Sequence, residues 1–405
     1  MSPIPVQLSR KRSAKTCRAI FLLAVLVSSG IVMFGTQFHT ARATNGPSVI
    51  ATIQLGGGRR QIDGIAVNRL TNRVYTANFY SGDVSVIDGR TNDIVATVPV
   101  GSNPFDVAVN TATNRVYVAN AGSNTVSVID GGSNALVATV PVGLDPWGVA
   151  VDPVSNRIYT ANWISADISV IDGTTNSVVA TVPTGSHTIY VAVNPSTNRI
   201  YAIEENMHVS VVDGATNSVV AAFSSTYPTG VAVNPVTNHV YVSNQSINTV
   251  SIIDGASNTS IATVPADPFP YRLAANPDTN RIYVGSNGDT SDSVLVIDGS
   301  TNSVVASVLV GYVPSAVAVD PTTNRIYIAN AGDDTVSVIQ DSPIPPPAVG
   351  GTIKLPPTIT TAQSAPSAGS LSHLPPTPAA LAGSVVGLLL IVVASVRFAR
   401  RHWLR

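Results

Sequence analysis

Short β-branched runs separated by turn residues recur along the middle of the chain. One repeat contains four such runs, which we predict to be strands: PFDVAVN (104–110), RVYVAN (115–120), TVSVID (125–130) and ALVATVPV (135–142). Gly, Asn, Asp, Ser and Thr fill the gaps between them, as is typical of tight turns. Runs such as VAV and SVVATV do not alternate apolar with polar residues, which indicates sheets that are covered on both faces.

The tyrosine of the second run marks a regular period. Its copies are separated by 42, 42, 42, 40, 42 and 44 residues and are Tyr75, Tyr117, Tyr159, Tyr201, Tyr241, Tyr283 and Tyr327. A period in the low forties made of short strands is the signature of a propeller blade. We therefore predict an all-β, seven-bladed β-propeller with four-stranded antiparallel blades over residues 48–341. An alanine recurs in every first strand, where wedge-shaped blades narrow toward the axis.

A count of the strands predicts how the ring closes. The fourth run occurs only six times within the repeats, and the last repeat breaks off at Ile339-Gln340. The missing copy stands before the first blade, as SVIATIQLG at 48–56. We predict that this segment pairs with 335–339, which removes the free sheet edges.

The repeat motif resembles that of a known family. YTAN, YVAN, YVSN and YIAN are each followed by VSVID or a close variant, and this pattern is similar to the Tyr-Val-Thr-Asn repeat family. The resemblance covers roughly residues 48–341. It implies a seven-bladed propeller of the kind found in bacterial and archaeal surface or periplasmic proteins, and some members are surface-layer components. It does not imply one function, because a propeller serves unrelated chemistries.

Hydrophobic segments flank the repeats, and we predict helices at both ends. Residues 1–43 combine basic residues, an apolar run and a small-x-small site, which is typical of a signal peptide; an uncleaved N-terminal anchor is the alternative. Residues 342–378 are rich in Pro, Ser and Thr and read as a stalk. Residues 379–396 are long enough for a transmembrane anchor, and 397–405 form a basic cytoplasmic tail. These segments predict a membrane-anchored protein at the cell surface.

The motif LPPTP at 374–378 resembles a sortase sorting signal, but Pro378 replaces its glycine. The sortase-like anchor is therefore degenerate, and a plain membrane anchor is the interpretation we adopt. The only cysteine, Cys17, lies in the predicted export segment. The propeller sequence accordingly offers no disulfide and no cysteine metal site.

The loops divide into two sets that emerge on opposite faces of a propeller. Turns after the first and third strands are monotonous, and we call their side the constant face. Here Arg73 is expected opposite Asp88, and Arg115 opposite Asp130, as framework pairs. Loops after the second and fourth strands differ between blades and form the variable face, which holds ten of the eleven propeller aromatics outside the repeat tyrosines. We expect about half of the ten to be exposed.

Charge adds to the distinction between the faces. Residues 48–340 contain eleven arginines, no lysine and 22 carboxylates, a net charge of −11. The variable face carries 12 of the acids against 3 of the bases, which disfavours a phosphate backbone as partner. We therefore expect no nucleic acid partner. An acidic surface that only keeps the protein soluble is the plain alternative.

The fourth blade departs most from the repeat, with IYAIEENMHVS where other blades carry Asn, Ser or small residues. His and carboxylate side chains can bind metals or transfer protons. However, their spacing matches no zinc signature, so we assign no metal ligand, no catalytic residue and no cofactor. Together with nearby aromatic and charged positions, the candidate ligand-binding residues are His187, Tyr190, Glu204, Glu205, His208, Arg272, Asp106, Trp147 and Trp163.

Three classes of function fit these observations. The first is a displayed binding or scaffold protein that recognises a glycan or a protein through the acidic, aromatic variable face. The second is an extracellular lyase-like or lactonase-like enzyme with a site on the rim of the fourth blade. The third is a structural surface-layer component. The sequence favours binding or structure over catalysis, because no nucleophile motif, phosphate loop or cofactor fingerprint occurs.

Overall fold

The computed structural model describes residues 46–342 apart from 57, 59, 289 and 290. The predicted export segment at 1–43, the stalk beyond residue 342, the sortase-like motif, the anchor at 379–396 and the tail at 397–405 lie outside these residues, as do the predicted flanking helices. Within the described ranges, no helix is long and apolar enough to cross a membrane.

The chain forms seven antiparallel four-stranded sheets, so the predicted seven-bladed propeller is confirmed. After β1 (Ser48–Gln54), the first three blades comprise β2 (Ile62–Asn68), β3 (Arg73–Asn78), β4 (Asp83–Asp88) and β5 (Ile94–Pro99); β6 (Pro104–Asn110), β7 (Arg115–Asn120), β8 (Thr125–Asp130) and β9 (Ala135–Pro141); and β10 (Pro146–Asp152), β11 (Arg157–Asn162), β12 (Asp167–Asp172) and β13 (Ser177–Pro183).

The remaining blades repeat this order. They comprise β14 (Thr188–Asn194), β15 (Arg199–Glu204), β16 (His208–Asp213) and β17 (Ser218–Ser224); β18 (Pro228–Asn234), β19 (His239–Asn244), β20 (Thr249–Asp254) and β21 (Thr259–Pro265); β22 (Pro270–Asn276), β23 (Arg281–Gly288), β24 (Ser291–Asp298) and β25 (Ser303–Leu309); and β26 (Pro314–Asp320), β27 (Arg325–Asn330) and β28 (Thr335–Gln340). Two short 3-10 helices, Ala121–Ser123 and Gln245–Ile247, follow the second strands of blades two and five.

The seventh blade is completed by the first strand of the chain, as predicted. β1 pairs with β28 in antiparallel fashion, with Ser48 opposite Gln340 and Gln54 opposite Thr335. The strand order in this sheet is β1, β28, β27, β26. Ser48 and Gln340 both lie at the end of the blade where third strands turn. The described chain therefore enters and leaves the propeller on the constant face.

The repeat tyrosines join neighbouring blades. All seven side chains are fully buried. The Tyr201 hydroxyl lies 3.4 Å from the carbonyl oxygen of Gly255 in the next blade, and Tyr327 makes the same contact with Gly89 across the ring closure. The residue that dominates the sequence period is thus the one that packs each sheet on the next. Apolar residues from both sheets surround each tyrosine. Both faces of a sheet are therefore buried, which explains why apolar and polar residues do not alternate along the strands.

Polar residues of the constant face hold the turns in place. The predicted pairs form, with 2.6 Å between Arg73 and Asp88 and 2.8 Å between Arg115 and Asp130. Asn68 Nδ2 donates to Asn114 Oδ1 at 2.7 Å, which links the first two blades. Asn114 itself has a φ of 53°, a left-handed conformation that asparagine tolerates better than most residues. The Asn–Asn link recurs between further blades, and the Arg–Asp pair recurs in the third and fourth blades, as expected for framework contacts.

Deletion of β1, residues 48–54, should abolish cooperative unfolding of the propeller. The deletion exposes the hydrogen-bonding edge of β28 and uncovers Val336 and Val338, which share a core cluster with Ile53 of β1. Circular dichroism during thermal unfolding measures the effect. A chain that lacks only residues 1–45 is the matched control and should keep a sharp transition. An unchanged midpoint after deletion of β1 would contradict the closing role of the strand.

Candidate functional site

The first strand of each blade faces the central channel, and its pairing is irregular at the variable end. In six blades the pairing with the second strand skips one residue, for example between Pro104 and Asp106. In the sixth blade it skips two, Tyr271 and Arg272. Bulges of this kind re-aim side chains. They release the second residue of each first strand from the regular ladder, and in the sixth blade the third residue as well, at the mouth of the channel.

The third residues form a ring around the channel and alternate between small and large side chains: Gly64, Asp106, Gly148, Tyr190, Gly230, Arg272 and Ala316. The glycines are needed for close approach. A Cβ atom on Gly148 would lie 2.9 Å from the Cα of Tyr190, and one on Gly230 would lie 2.4 Å from the Tyr271 carbonyl oxygen. The glycines of blades one, three and five thus make room for the larger residues of blades two, four and six.

Arg272 is the centre of the channel cluster. Its Nη1 donates to Asp106 Oδ1 at 2.6 Å, from the sixth blade to the second. Its guanidinium carbon lies 3.9 Å from the centre of the Tyr190 ring, a close cation–π contact. Only 12% of the side chain is exposed. Asp106 is fixed in turn, because its Oδ2 accepts a hydrogen bond from the Val149 amide at 3.1 Å.

Two further polar side chains complete the cluster. Asp63 is 9% exposed, and burial raises its pKa to about 7; the hydrogen bond from Gln61 and the charge of Arg272 oppose this shift, and the charge of Asp106 adds to it. The Tyr271 hydroxyl lies 3.3 Å from that of Tyr190. Burial raises the pKa of both tyrosines. Near pH 7 the Asp63 carboxyl is therefore about half protonated.

A row of stacked rings crosses the variable face from the first blade to the fourth. Phe79 packs edge-on against Phe105 with 6.1 Å between ring centres, and Phe105 stacks on Trp147 at 4.8 Å. Trp147 stacks on Trp163 at 5.1 Å, and Trp163 contacts the His187 ring at 4.9 Å. We call Phe79, Phe105, Trp147, Trp163 and His187 the aromatic row.

The aromatic row ends in an exposed pair at the fourth blade. His187 Nδ1 and Glu205 Oε2 are 2.8 Å apart, and about half of each side chain is exposed. At the other end, Tyr80 packs edge-on against Phe79 with its own ring exposed. Phe105 in the middle is buried, and the two tryptophans are half-buried. The row thus connects the protein interior to solvent.

The other two candidates of the fourth blade do not join this pair. Glu204 is buried and accepts a hydrogen bond from Ser210. It occupies the place of Asn120, which donates to Ser127 in the second blade. Burial raises the pKa of Glu204, and the hydrogen bond from Ser210 opposes that shift. His208 is exposed and lies opposite Glu204 in the strand register, with its Nδ1 3.1 Å from the Asn206 carbonyl oxygen.

The sequence candidates therefore separate into groups. Asp106, Tyr190 and Arg272 meet in the channel, whereas Trp147, Trp163, His187 and Glu205 belong to the aromatic row and its end, and Glu204 and His208 lie apart. The sequence reasoning missed Asp63 and Tyr271. Both stand at the second position of a first strand, so an alignment of the seven first strands would have found them. Four of the ten variable-face aromatics are exposed, namely Tyr80, Tyr227, Phe269 and Tyr312.

Across the described residues, no group of three or more His, Cys, Asp or Glu side chains is arranged to hold a metal ion. No protein-family model matches the sequence, and no curated protein matches it significantly. The structure is similar to hydrazine synthase of Kuenenia stuttgartiensis, with a TM-score of 0.65 and 22% identity, over 72% of this chain and 99% of that chain. At this identity the similarity establishes the propeller fold alone.

The stability of the propeller should depend on the proton of Asp63. The folded chain keeps this proton up to about pH 7, whereas the unfolded chain loses it near pH 4. Between these values the folded state binds more protons, so this contribution to the free energy of unfolding is lost as the pH rises from about 4 to 7. Asp63→Asn removes the dependence. Relative to the natural chain, the variant should gain up to about 4 kcal/mol between pH 4 and pH 8.

Urea unfolding of both chains across this pH range measures the gain. Asp93→Asn, which changes an exposed aspartate of the same blade, is the control and should follow the natural chain. If the difference between Asp63→Asn and the natural chain did not change with pH, Asp63 would be ionised in the fold like any surface carboxylate.

Proposed function

We propose that this protein is a cell-surface propeller, anchored in the membrane, that binds a protein partner with a basic surface through its variable face. The aromatic row is the observation that carries the proposal. Tyr and Trp dominate the energetics of protein interfaces, because they place a large, rigid apolar area next to a polar tip. Here that area is ordered before any partner arrives, so little conformational entropy would be lost on binding.

The arrangement of the rings favours a protein over a glycan. Trp147 stacks between Phe105, with 15° between the ring planes, and Trp163, with 19°. Both faces of this indole are therefore covered, and a sugar ring has no open face of Trp147 on which to lie. A stack of this kind presents its edges as a narrow apolar ridge. A ridge bordered by polar groups matches the apolar core and polar rim of protein interfaces.

Charge on the same face supports a basic partner. The ridge ends at the exposed carboxylate of Glu205, and Asp145 lies beside the row in the loop before β10. The propeller sequence carries a net charge of −11. Complementary charge accelerates association and selects the partner, with a strong dependence on salt. The same field disfavours nucleic acid.

The direction of the chain ends is consistent with display. Ser48 and Gln340 lie on the constant face, and the sequence predicts an export segment before the propeller and a stalk and anchor after it. A tether that begins on the constant face leaves the variable face free to meet a partner outside the cell. We infer the location at the cell surface from these sequence predictions together with this geometry.

Alanine substitution along the row tests the proposal. Envelope and secreted proteins of the source cells are captured on the natural chain, identified, purified and measured one by one for binding. Trp163→Ala should weaken the Kd of a true partner about thirtyfold, since an interface anchor contributes about 2 kcal/mol or more. A higher salt concentration should lower the affinity of the natural chain for this partner.

Tyr312→Ala is the matched control. Tyr312 is an exposed aromatic of the same face, in the loop before the seventh blade, and it is not part of the aromatic row. Its loss should leave the Kd within about twofold. Partners that bind the natural chain and Trp163→Ala equally well would refute the aromatic row as the interface. Binding of a glycan array that depends on Trp163 would assign the row to a glycan instead.

A further inference from the structure

The geometry points to a second binding site, independent of the aromatic row: a pocket for a small carboxylate anion in the central channel, with Arg272 as its receptor. A cavity of about 110 Å³ lies among the first strands of the propeller. Arg272, Asp106 and Tyr190 contribute its polar wall, and Ala316, Val231 and Leu273 are among its apolar lining residues.

Two donor atoms of Arg272 lack hydrogen-bond acceptors among the described residues, and their arrangement indicates the kind of ligand. Nη1 donates to Asp106, but Nε and Nη2 have no hydrogen-bond partner among the described residues, although both atoms are buried. Nε and Nη2 form one edge of the guanidinium, and their two N–H groups point in parallel. This is the edge that a carboxylate accepts in bidentate fashion. Buried donors left without an acceptor are unfavourable, so an anion placed there removes an existing penalty.

The surroundings of Arg272 leave this edge available. Asp106 accepts from Arg272 through Oδ1 only, because its Oδ2 already accepts a hydrogen bond from the Val149 amide. The Tyr190 ring lies against the face of the guanidinium and prevents it from turning away. The Tyr190 hydroxyl, which is linked to that of Tyr271, adds a polar group within the lining of the cavity. The Arg272 guanidinium is therefore held in one orientation before a ligand binds.

The cavity sets the size of the anion. An engineered protein cavity of about 150 Å³ binds benzene, so a cavity of 110 Å³ suits an anion of roughly four non-hydrogen atoms. Formate and acetate have this size. The apolar lining residues, Ala316 and Leu273 among them, suit a methyl group beside the carboxylate.

Asp63 makes binding depend on pH. Its neighbours in the cluster are Asp106, Arg272, Tyr271 and Gln61. Because burial raises the pKa of Asp63 to about 7, this carboxyl is mostly neutral at pH 6 and mostly charged at pH 8. A charged Asp63 repels an incoming anion. Acetate, which stays ionised throughout this range, should therefore bind more tightly at pH 6, by up to about tenfold.

Equilibrium dialysis of radiolabelled acetate against the full-length chain tests the site. The natural chain should bind about one acetate, and acetamide, which has the same shape without the charge, should not compete. Arg272→Lys keeps the cation beside Asp106 but replaces the planar fork with a point charge, so acetate affinity should fall at least tenfold. Asp63→Asn should bind acetate equally well at pH 6 and pH 8.

Arg281→Lys is the matched control. Arg281 is a buried arginine of the same blade, paired with Asp341 outside the channel, and its replacement should leave acetate binding unchanged. Circular dichroism verifies that each variant is folded. Equal binding of acetate and acetamide, acetate binding by Arg272→Lys that matches the natural chain, or no binding of acetate at 100-fold molar excess over protein at pH 6 would each overturn the proposal. None of these outcomes depends on the aromatic row or on its partner.

Discussion

The pairing of β1 with β28 is the contact on which the rest of the structure depends. Each blade is a wedge, and seven wedges surround a channel only if the last is joined to the first. The join crosses 292 positions of sequence between Ser48 and its partner Gln340, wider than any other strand pairing in the described chain. The ion pair between Asp106 and Arg272 spans the axis from the second blade to the sixth, so it exists only in a closed ring.

The repeat separates residues that build the fold from residues that vary. The tyrosines between blades and the asparagines that link turns recur because each blade must meet its neighbours in the same way. The Arg–Asp pairs of the constant face, present in the first four blades, join the two ends of one hairpin within a blade. The bulge frees the second position of every first strand from the ladder, and the third position, although paired in six blades, lies on the ring around the channel. Side chains at both positions can therefore differ from blade to blade. Both proposed binding regions draw on these positions: Phe105 and Trp147 for the row, and Arg272 and Tyr190 for the channel.

Much of this architecture was predictable from the sequence because it is periodic. The seven tyrosines, the fourth-strand pattern at 48–56 and the arginine and aspartate at either end of a hairpin are local signals, and each lies where it was expected. The candidate site was less predictable. Asp106 and Arg272 are 166 positions apart, and no local pattern relates them. The sequence predicted Glu204 to lie on the rim of the fourth blade. Its side chain is buried, at the position that Asn120 occupies in the second blade.

The number of blades has a consequence of its own for the channel. Side chains around the ring alternate small with large, and a closed ring can sustain strict alternation only if its number of members is even. Seven is odd, so two residues of the same size class must meet once, and here they are the small residues Ala316 of the last blade and Gly64 of the first. No choice of alternating small and large side chains removes this contact between two small residues. The contact between two small residues is in this sense a matter of parity, and a ring with an even number of blades could alternate without it.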